Sequence, residues 1–152
     1  LKYLNMILVT GSAGFIGYHL SEQLLKIGKN VIGVDNHNDY YDINLKEARL
    51  SNLLKYKNYS HNKIDIENRQ AIRELFEKYN FKFVVNLAAH AGVRYSMQEP
   101  RKFLETNIIG FQNILELSKE FNVEHLVYAS SSSVYGSNSK MPFSTEHAAN
   151  HP

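Results

Sequence analysis

The sequence predicts an α/β fold, a doubly wound parallel sheet, and three observations predict it. Short apolar runs recur along the chain without the polar alternation of a half-exposed strand. Stretches with helical spacing of apolar residues separate them. The first apolar run stops at Thr10 and gives way to VTGSAGFIG (9–17), with glycines at 11, 14 and 17, before a helical stripe begins. Strands covered on both faces and separated by helices imply parallel pairing through right-handed crossovers.

Each element has its own justification. MILVT (6–10) is the first strand, and 15–29 is a helix whose apolar stripe falls at 16, 20, 24, 25 and 27 and ends at Gly28. NVIGVD (30–35) is a second strand, 44–56 a helix, and NKIDI (62–66) a short third strand. ENRQAIRELFEKY (67–79) is helical, FKFVVNLAA (81–89) is a buried strand, and 100–121 is a long helix opening on proline. EHLVYASS (124–131) is the fifth strand. No repeat or linker interrupts the series, so residues 1–152 are expected to form one domain.

In open sheets of this kind ligands sit beyond the carboxyl ends of the strands, so the residues after each strand carry the functional information. Gly11 lets the chain turn out of the first strand, Gly14 clears a side chain where a pyrophosphate would approach, and Gly17 lets the helix lie close on the sheet. The free amides of that helix then face the phosphates. A bare G-x-x-G-x-x-G match also fits a glycine-rich turn, but its place between a first strand and a first helix points to a Rossmann dinucleotide site. Asp35 ends the second strand, where a carboxylate accepts from both adenosine ribose hydroxyls; the alternative is an aspartate capping a loop. A 2′-phosphate there would be repelled, and no Arg or Lys follows until Lys46, so NAD is expected over NADP. Asp65 and Ile66, after the third strand, could meet the adenine by an amino hydrogen bond and apolar packing.

Composition narrows function by exclusion. A net charge of +2 with scattered basic residues gives no footprint for nucleic acid or a membrane surface. The absence of cysteine removes disulfides, thiolate metal sites and cysteine nucleophiles, and fits a reducing cytoplasm. No run approaches the roughly 18 apolar residues of a membrane helix, and the first residues are not a signal peptide. His147 and His151 have a helical ligand spacing, but two ligands beside Pro152 do not suggest a metal site, and none is expected. The chain starts at Leu1 and stops at Pro152, so it is read as a portion of something longer.

After the fourth strand, NLAAHAGVRYS (86–96) offers small residues over which a cofactor could pass. After the fifth, ASSSSVYGS (129–137) gathers hydroxyls where a nicotinamide ring would lie. TGSAGFIG, Asp35, NLAAHAGV, the helix containing TNIIG, and SSSSVYG, in this order, resemble the extended short-chain dehydrogenase/reductase family of NAD-dependent epimerases and dehydratases. Residues 35–50, 91–100 and 128–146 are most similar to its UDP-glucuronate 4-epimerases, enzymes of capsule and cell-surface polysaccharide biosynthesis. The resemblance covers essentially the whole chain.

That resemblance implies an isomerase chemistry in which sugar C4 is oxidised by bound NAD and re-reduced on its opposite face. It implies that Ser131 hydrogen-bonds the reacting oxygen and that Gly11, Phe15, Ile16, Asp35, Asn36, Asp65, Ile66, Leu87, Ala88 and Ala89 line the cofactor. Thr106 or Asn107 would help hold the cofactor end, Ser132 and Ser133 would face the UDP-sugar, and Arg94 is the nearest cation for a glucuronate carboxylate, against the alternative of a surface salt bridge. The family's base is a tyrosine in Tyr-x-x-x-Lys on the helix after the serine strand. The only such spacing here, Tyr59–Lys63, lies in the wrong half of the sheet. The chain is therefore expected to be an N-terminal cofactor-binding portion, incomplete in its sheet, without the C-terminal substrate half and inactive alone. Rival readings are another sugar-nucleotide epimerase, dehydratase or decarboxylase of the family, or a non-catalytic dinucleotide-binding regulator. Ser132 and Ser133 stand where dehydratases carry acidic residues, which argues against dehydration. The family commonly dimerises through helices like 100–121, so a homodimer is possible.

Overall fold

The computed structural model describes residues 5–147 and 149. Five strands, β1 (Met6–Thr10), β2 (Asn30–Asp35), β3 (Tyr59–Lys63), β4 (Phe81–Asn86) and β5 (His125–Tyr128), form one sheet of order β3-β2-β1-β4-β5. All four neighbouring pairs are parallel. The helices are α1 (Phe15–Lys26), α2 (Ile43–Leu53), α3 (Arg69–Lys78), α4 (Val93–Gln98), α5 (Pro100–Leu104) and α6 (Phe111–Glu120). A π-helical turn, Glu105–Gly110, joins the last two, and a 3-10 turn, Ser132–Tyr135, follows β5.

Side-chain alternation along the strands builds two cores. Met6, Leu8, Ile32, Val34 and Val84 pack with Ile72, Leu75 and Phe76 of α3 and Ile114 and Leu117 of α6. Ile7, Val9 and Val31 point the other way, onto Leu25 of α1, Leu53 of α2 and Tyr59. Completely buried side chains such as Leu8, Ile32, Ile72 and Ile114 each contribute about 1.5–3 kcal/mol of apolar burial. Local chemistry sets the helix starts. Asp42 accepts from the Asn44 N–H at 2.9 Å, and Asn68 accepts from the Ala71 N–H at 3.1 Å.

The predicted doubly wound sheet is present, with differences in where elements begin and end. The third strand is 59–63, not 62–66, and pairs Val31 with Tyr59 through Asp35 with Lys63. Its polar sequence, YSHNK, is tolerated because β3 is an edge strand held by its backbone ladder. Ile64 and Ile66, whose apolar character suggested a strand, instead fill the core beyond its end. The fourth and fifth strands stop three residues early, leaving 87–89 and 129–131 as backbone beyond the sheet. The helix of 100–121 is present, with its middle turn widened to π geometry.

Gly17 fixes how closely α1 lies on the sheet, because an added Cβ would overlap the Gly11 carbonyl oxygen. Gly17→Ala is expected to destabilise the chain by about 1–3 kcal/mol, despite alanine's better helix propensity. Urea unfolding checks this, and an unchanged midpoint would contradict the close packing.

Candidate functional site

The cleft that matters opens at the carboxyl ends of the strands, where the crossovers from β1 and β4 diverge. It has a volume of about 580 Å³ including its open mouth. Gly11, Gly14, Asp35, Asn36, Asp65, Ile66, Leu87, Ala88, Ala89 and Thr106 line it, drawn from the ends of four strands and the π turn. Val34, Asn38, Tyr40, Tyr41, Lys46, Ile64 and His90 complete the wall. An adjoining hollow shares Asn36, Asn38, Tyr40, Asp65, His90 and Thr106 and continues past Glu67, Tyr95, Lys102 and Glu105.

The floor is main chain pressed against main chain. Gly11 has φ +67°, and a Cβ there would sit 2.9 Å from the Ala88 nitrogen. A side chain on Gly14 would come within 3.0 Å of the Gly11 carbonyl oxygen. Gly14 caps α1 without a side-chain hydrogen bond, so the first-turn N–H groups of Phe15 and Ile16 keep no intrahelical acceptor. Those two side chains are 67% and 62% exposed and do not line the cleft; only their backbone could serve a ligand there. Thr10 locks the two strand ends together. Its hydroxyl donates to Asn86 Oδ1 at 2.7 Å and accepts from the Leu87 and Ala88 N–H groups at 3.0 and 3.1 Å.

Asp35 is buried with its carboxylate held from three sides. Oδ2 accepts from the Ala13 N–H at 3.1 Å, and Oδ1 accepts from the His37 N–H at 2.8 Å and from Lys46 Nζ at 3.5 Å. Sequence distance misled about Lys46. The 36–42 loop and α2 return it to Asp35, so a cation stands where none was expected. Arg49, one turn later, donates to the Tyr41 hydroxyl at 3.2 Å and to the Ala13 carbonyl at 3.3 Å. Asp65 is engaged by Asn36, whose amide donates to Oδ2 at 2.9 Å.

The π turn divides the roles of Thr106 and Asn107. Thr106 is buried in the cleft wall. Asn107 is spent on the loop after β4, accepting from the His90 N–H at 2.8 Å and donating to the His90 carbonyl at 2.9 Å. Asn107 thus braces the loop that forms the wall and is not among the residues lining the cleft. Tyr40 ties the same loop to the β2 end by donating to the Ala91 carbonyl at 2.7 Å.

Comparison with known proteins fits this geometry. A protein-family profile described as GDP-mannose 4,6 dehydratase matches residues 8–152. The chain belongs to this family. It is 53% identical to Protein CapI of Staphylococcus aureus over 146 residues, 96% of this chain and 43% of that protein. It is 52% identical to a UDP-glucuronate 4-epimerase of Thermodesulfobacterium geofontis over 132 residues, 87% of this chain and 41% of that protein. Among solved structures, a mutant UDP-glucuronic acid 4-epimerase from Bacillus cereus, in complex with UDP-4-deoxy-4-fluoro-glucuronic acid and NAD, superposes with TM-score 0.81 at 34% identity. That match covers 89% of this chain and 43% of the Bacillus chain. The chain thus spans less than half the length of these relatives.

Other candidate positions lie apart from the cleft of this family member. Ser131 is exposed, and its hydroxyl accepts from the Ser133 N–H at 3.1 Å, capping the turn that carries Ser132 and Ser133. None of the three lines the cleft, nor does Arg94 on α4, which is exposed. Tyr59 and Lys63 are the first and last residues of β3. Burial pushes the Tyr59 hydroxyl up to about 12, the wrong direction for a base. His147 accepts from the Ser144 N–H through Nδ1, and His151 lies outside the described residues.

Sequence reasoning missed the histidine pair behind Asp35. His37 Nε2 and His61 Nε2 are 3.0 Å apart, so one ring donates to the other. Burial, with the neighbouring His37 second, lowers His61 to about 4 from its ordinary 6.5, while Asp35 acts weakly the other way. His90 is lowered too, again mainly by burial. An unfolded chain takes up these protons as pH falls below about 6.5, whereas the folded chain resists. Stability is therefore expected to be complete above pH 6.5 and to decline towards pH 4. His61→Gln should flatten part of that decline, as measured by urea unfolding at pH 7.5, 5.5 and 4.5; an equal decline in the variant would refute the assignment.

Proposed function

We propose that residues 1–152 are the NAD-binding portion of a UDP-glucuronate 4-epimerase, an isomerase of polysaccharide biosynthesis working in the cytoplasm on a UDP-sugar. The observation that carries the NAD reading is the pairing of a side-chain-free cradle at Gly11 and Gly14 with a buried, donor-held carboxylate at Asp35. The cradle is space that a Cβ would fill, and it faces the free amides of the first turn of α1. A diphosphate suits such amides, and a ribose diol suits a fixed carboxylate. The substrate reading is supported by the 4-epimerase relatives and by the Bacillus cereus structure.

When bound, NAD would accept hydride from sugar C4 and return it to the opposite face. The chain's residues do the rest. Phe15 and Ile16 would donate backbone N–H groups to the diphosphate, Asp35 would accept from the adenosine ribose hydroxyls, and Asp65 with Ile66 would border the adenine. Leu87, Ala88 and Ala89 would let the cofactor cross the strand ends, with Thr106 behind it. Ser131 would hydrogen-bond the reacting C4 oxygen, Ser132 and Ser133 would face the sugar, and Arg94 would meet its carboxylate. The proton-abstracting tyrosine and lysine would come from sequence other than these residues, so the chain by itself is expected to bind without turning over.

Two measurements test this. NAD binding to the chain, followed calorimetrically, should weaken about 10–100-fold in Asp35→Ala, the size expected for losing hydrogen bonds to a charged group. Unaltered affinity would remove Asp35 from the site. The whole protein that carries this chain should convert UDP-glucuronate to UDP-galacturonate without added NADH; conversion of other UDP-sugars instead would reject the substrate assignment.

A further inference from the structure

Lys46 has no role in the reading above, yet it is the most deeply buried charge on the cleft. The side chains of Lys46 and Asp35 are 5% and 6% exposed. Lys46 Nζ donates to Asn38 Oδ1 at 2.9 Å and stands 3.5 Å from Asp35 Oδ1, and it lies 5.0 Å from the centre of the Tyr41 ring. Burying an ammonium is costly unless it is paired and hydrogen-bonded, and here it has both an anion and an amide oxygen. All four residues line the cleft.

Two consequences follow from this placement. The ammonium and the His37 N–H share Oδ1 while the Ala13 N–H holds Oδ2, so Asp35 is oriented before any ligand arrives. The ammonium also sets a counter-charge beside the carboxylate, and Arg49 donates to the Tyr41 hydroxyl and the Ala13 carbonyl of the neighbouring segments. A lone carboxylate would reject a 2′-phosphate by repulsion. This one has an ammonium 3.5 Å away, and the repulsion is correspondingly weaker.

We propose that Lys46 is a positioning residue for dinucleotide recognition: it acts through Asp35 and Asn38 to hold the ribose-binding carboxylate, and its charge sets how strongly the cleft discriminates between NAD and NADP. This rests on the NAD reading and goes beyond it, because it moves selectivity from Asp35 alone to the pair. Lys46→Met removes the charge and the donor while keeping the aliphatic stem that crosses the wall. Lys46→Arg keeps the charge.

The test is the dissociation constants of NAD and NADP, by calorimetry, on the intact chain and both variants. NAD should bind about tenfold more weakly to Lys46→Met, because Asp35 loses one of its three anchors. NADP should lose a further factor of about ten or more, since a phosphate dianion would then face Asp35 without its counter-charge. The NAD preference thus rises about tenfold or more in Lys46→Met and returns towards its original value in Lys46→Arg. An equal loss for the two ligands would show a merely structural lysine and overturn the proposal, as would unchanged NAD binding. Should Lys46→Met fail to fold, Lys46→Gln removes the charge but retains an amide donor, and the same rise in preference is required of it. Failure of the unaltered chain to bind either dinucleotide would overturn the NAD reading and this proposal together, whereas an unchanged preference overturns this proposal alone.

Discussion

The close approach of the glycine turn to the segment after β4 is the constraint on which the rest of the site depends. Backbone meets backbone between Gly11 and Ala88, with no space for a Cβ, and the Thr10 hydroxyl pins both sides. That contact brings the ends of β1 and β4 together at the point where the sheet's crossovers diverge. It sets the width of the cleft, the angle at which α1 leaves the sheet, and the direction of the helix's unpaired N–H groups. Gly17 adds the second half of the constraint by letting α1 settle against the Gly11 carbonyl.

Electrostatics is layered on that frame. Main-chain donors from Ala13 and His37 surround Asp35, and α2 supplies Lys46 from the far side. His37 adopts φ +55°, and its N–H is spent on Asp35 while its ring meets His61. A backbone conformation that costs something in most residues is thereby tied to the one carboxylate that the cleft is built around. By contrast, the exposed ion pairs between α3 and α6, Arg69 with Glu116 and Arg73 with Glu120, add little, because solvent screens them.

Membership of the GDP-mannose 4,6 dehydratase family and similarity to 4-epimerases agree with this arrangement at the cofactor end, where the chain's residues are most completely assembled. The turn bearing Ser131 to Ser133 is instead exposed, its first hydroxyl occupied by its own backbone. The two halves of the proposed chemistry therefore differ in how far these residues alone build them. The binding half is packed and hydrogen-bonded, and the reacting half lies on an open surface.

The sequence by itself determined the parallel α/β sheet, the place of the glycine turn, and Asp35 as the residue that ends β2. These depend on local signals, namely apolar runs, helical periodicity and the steric permissiveness of glycine, which act over a few neighbouring residues. Position after a strand end also singled out Asp65, Ile66 and the small residues after β4, and the fold gathers these into one cleft. Only the tertiary structure decided that β3 is the polar stretch 59–63, because an edge ladder needs backbone partners more than apolar side chains. The fold alone also turned Asn107 towards His90, paired His37 with His61, and joined Thr10 to residues more than seventy positions away. Lys46 shows the reason most plainly. Distance along the chain placed it away from Asp35, and the path of the backbone through the 36–42 loop and α2 put its charge against that carboxylate.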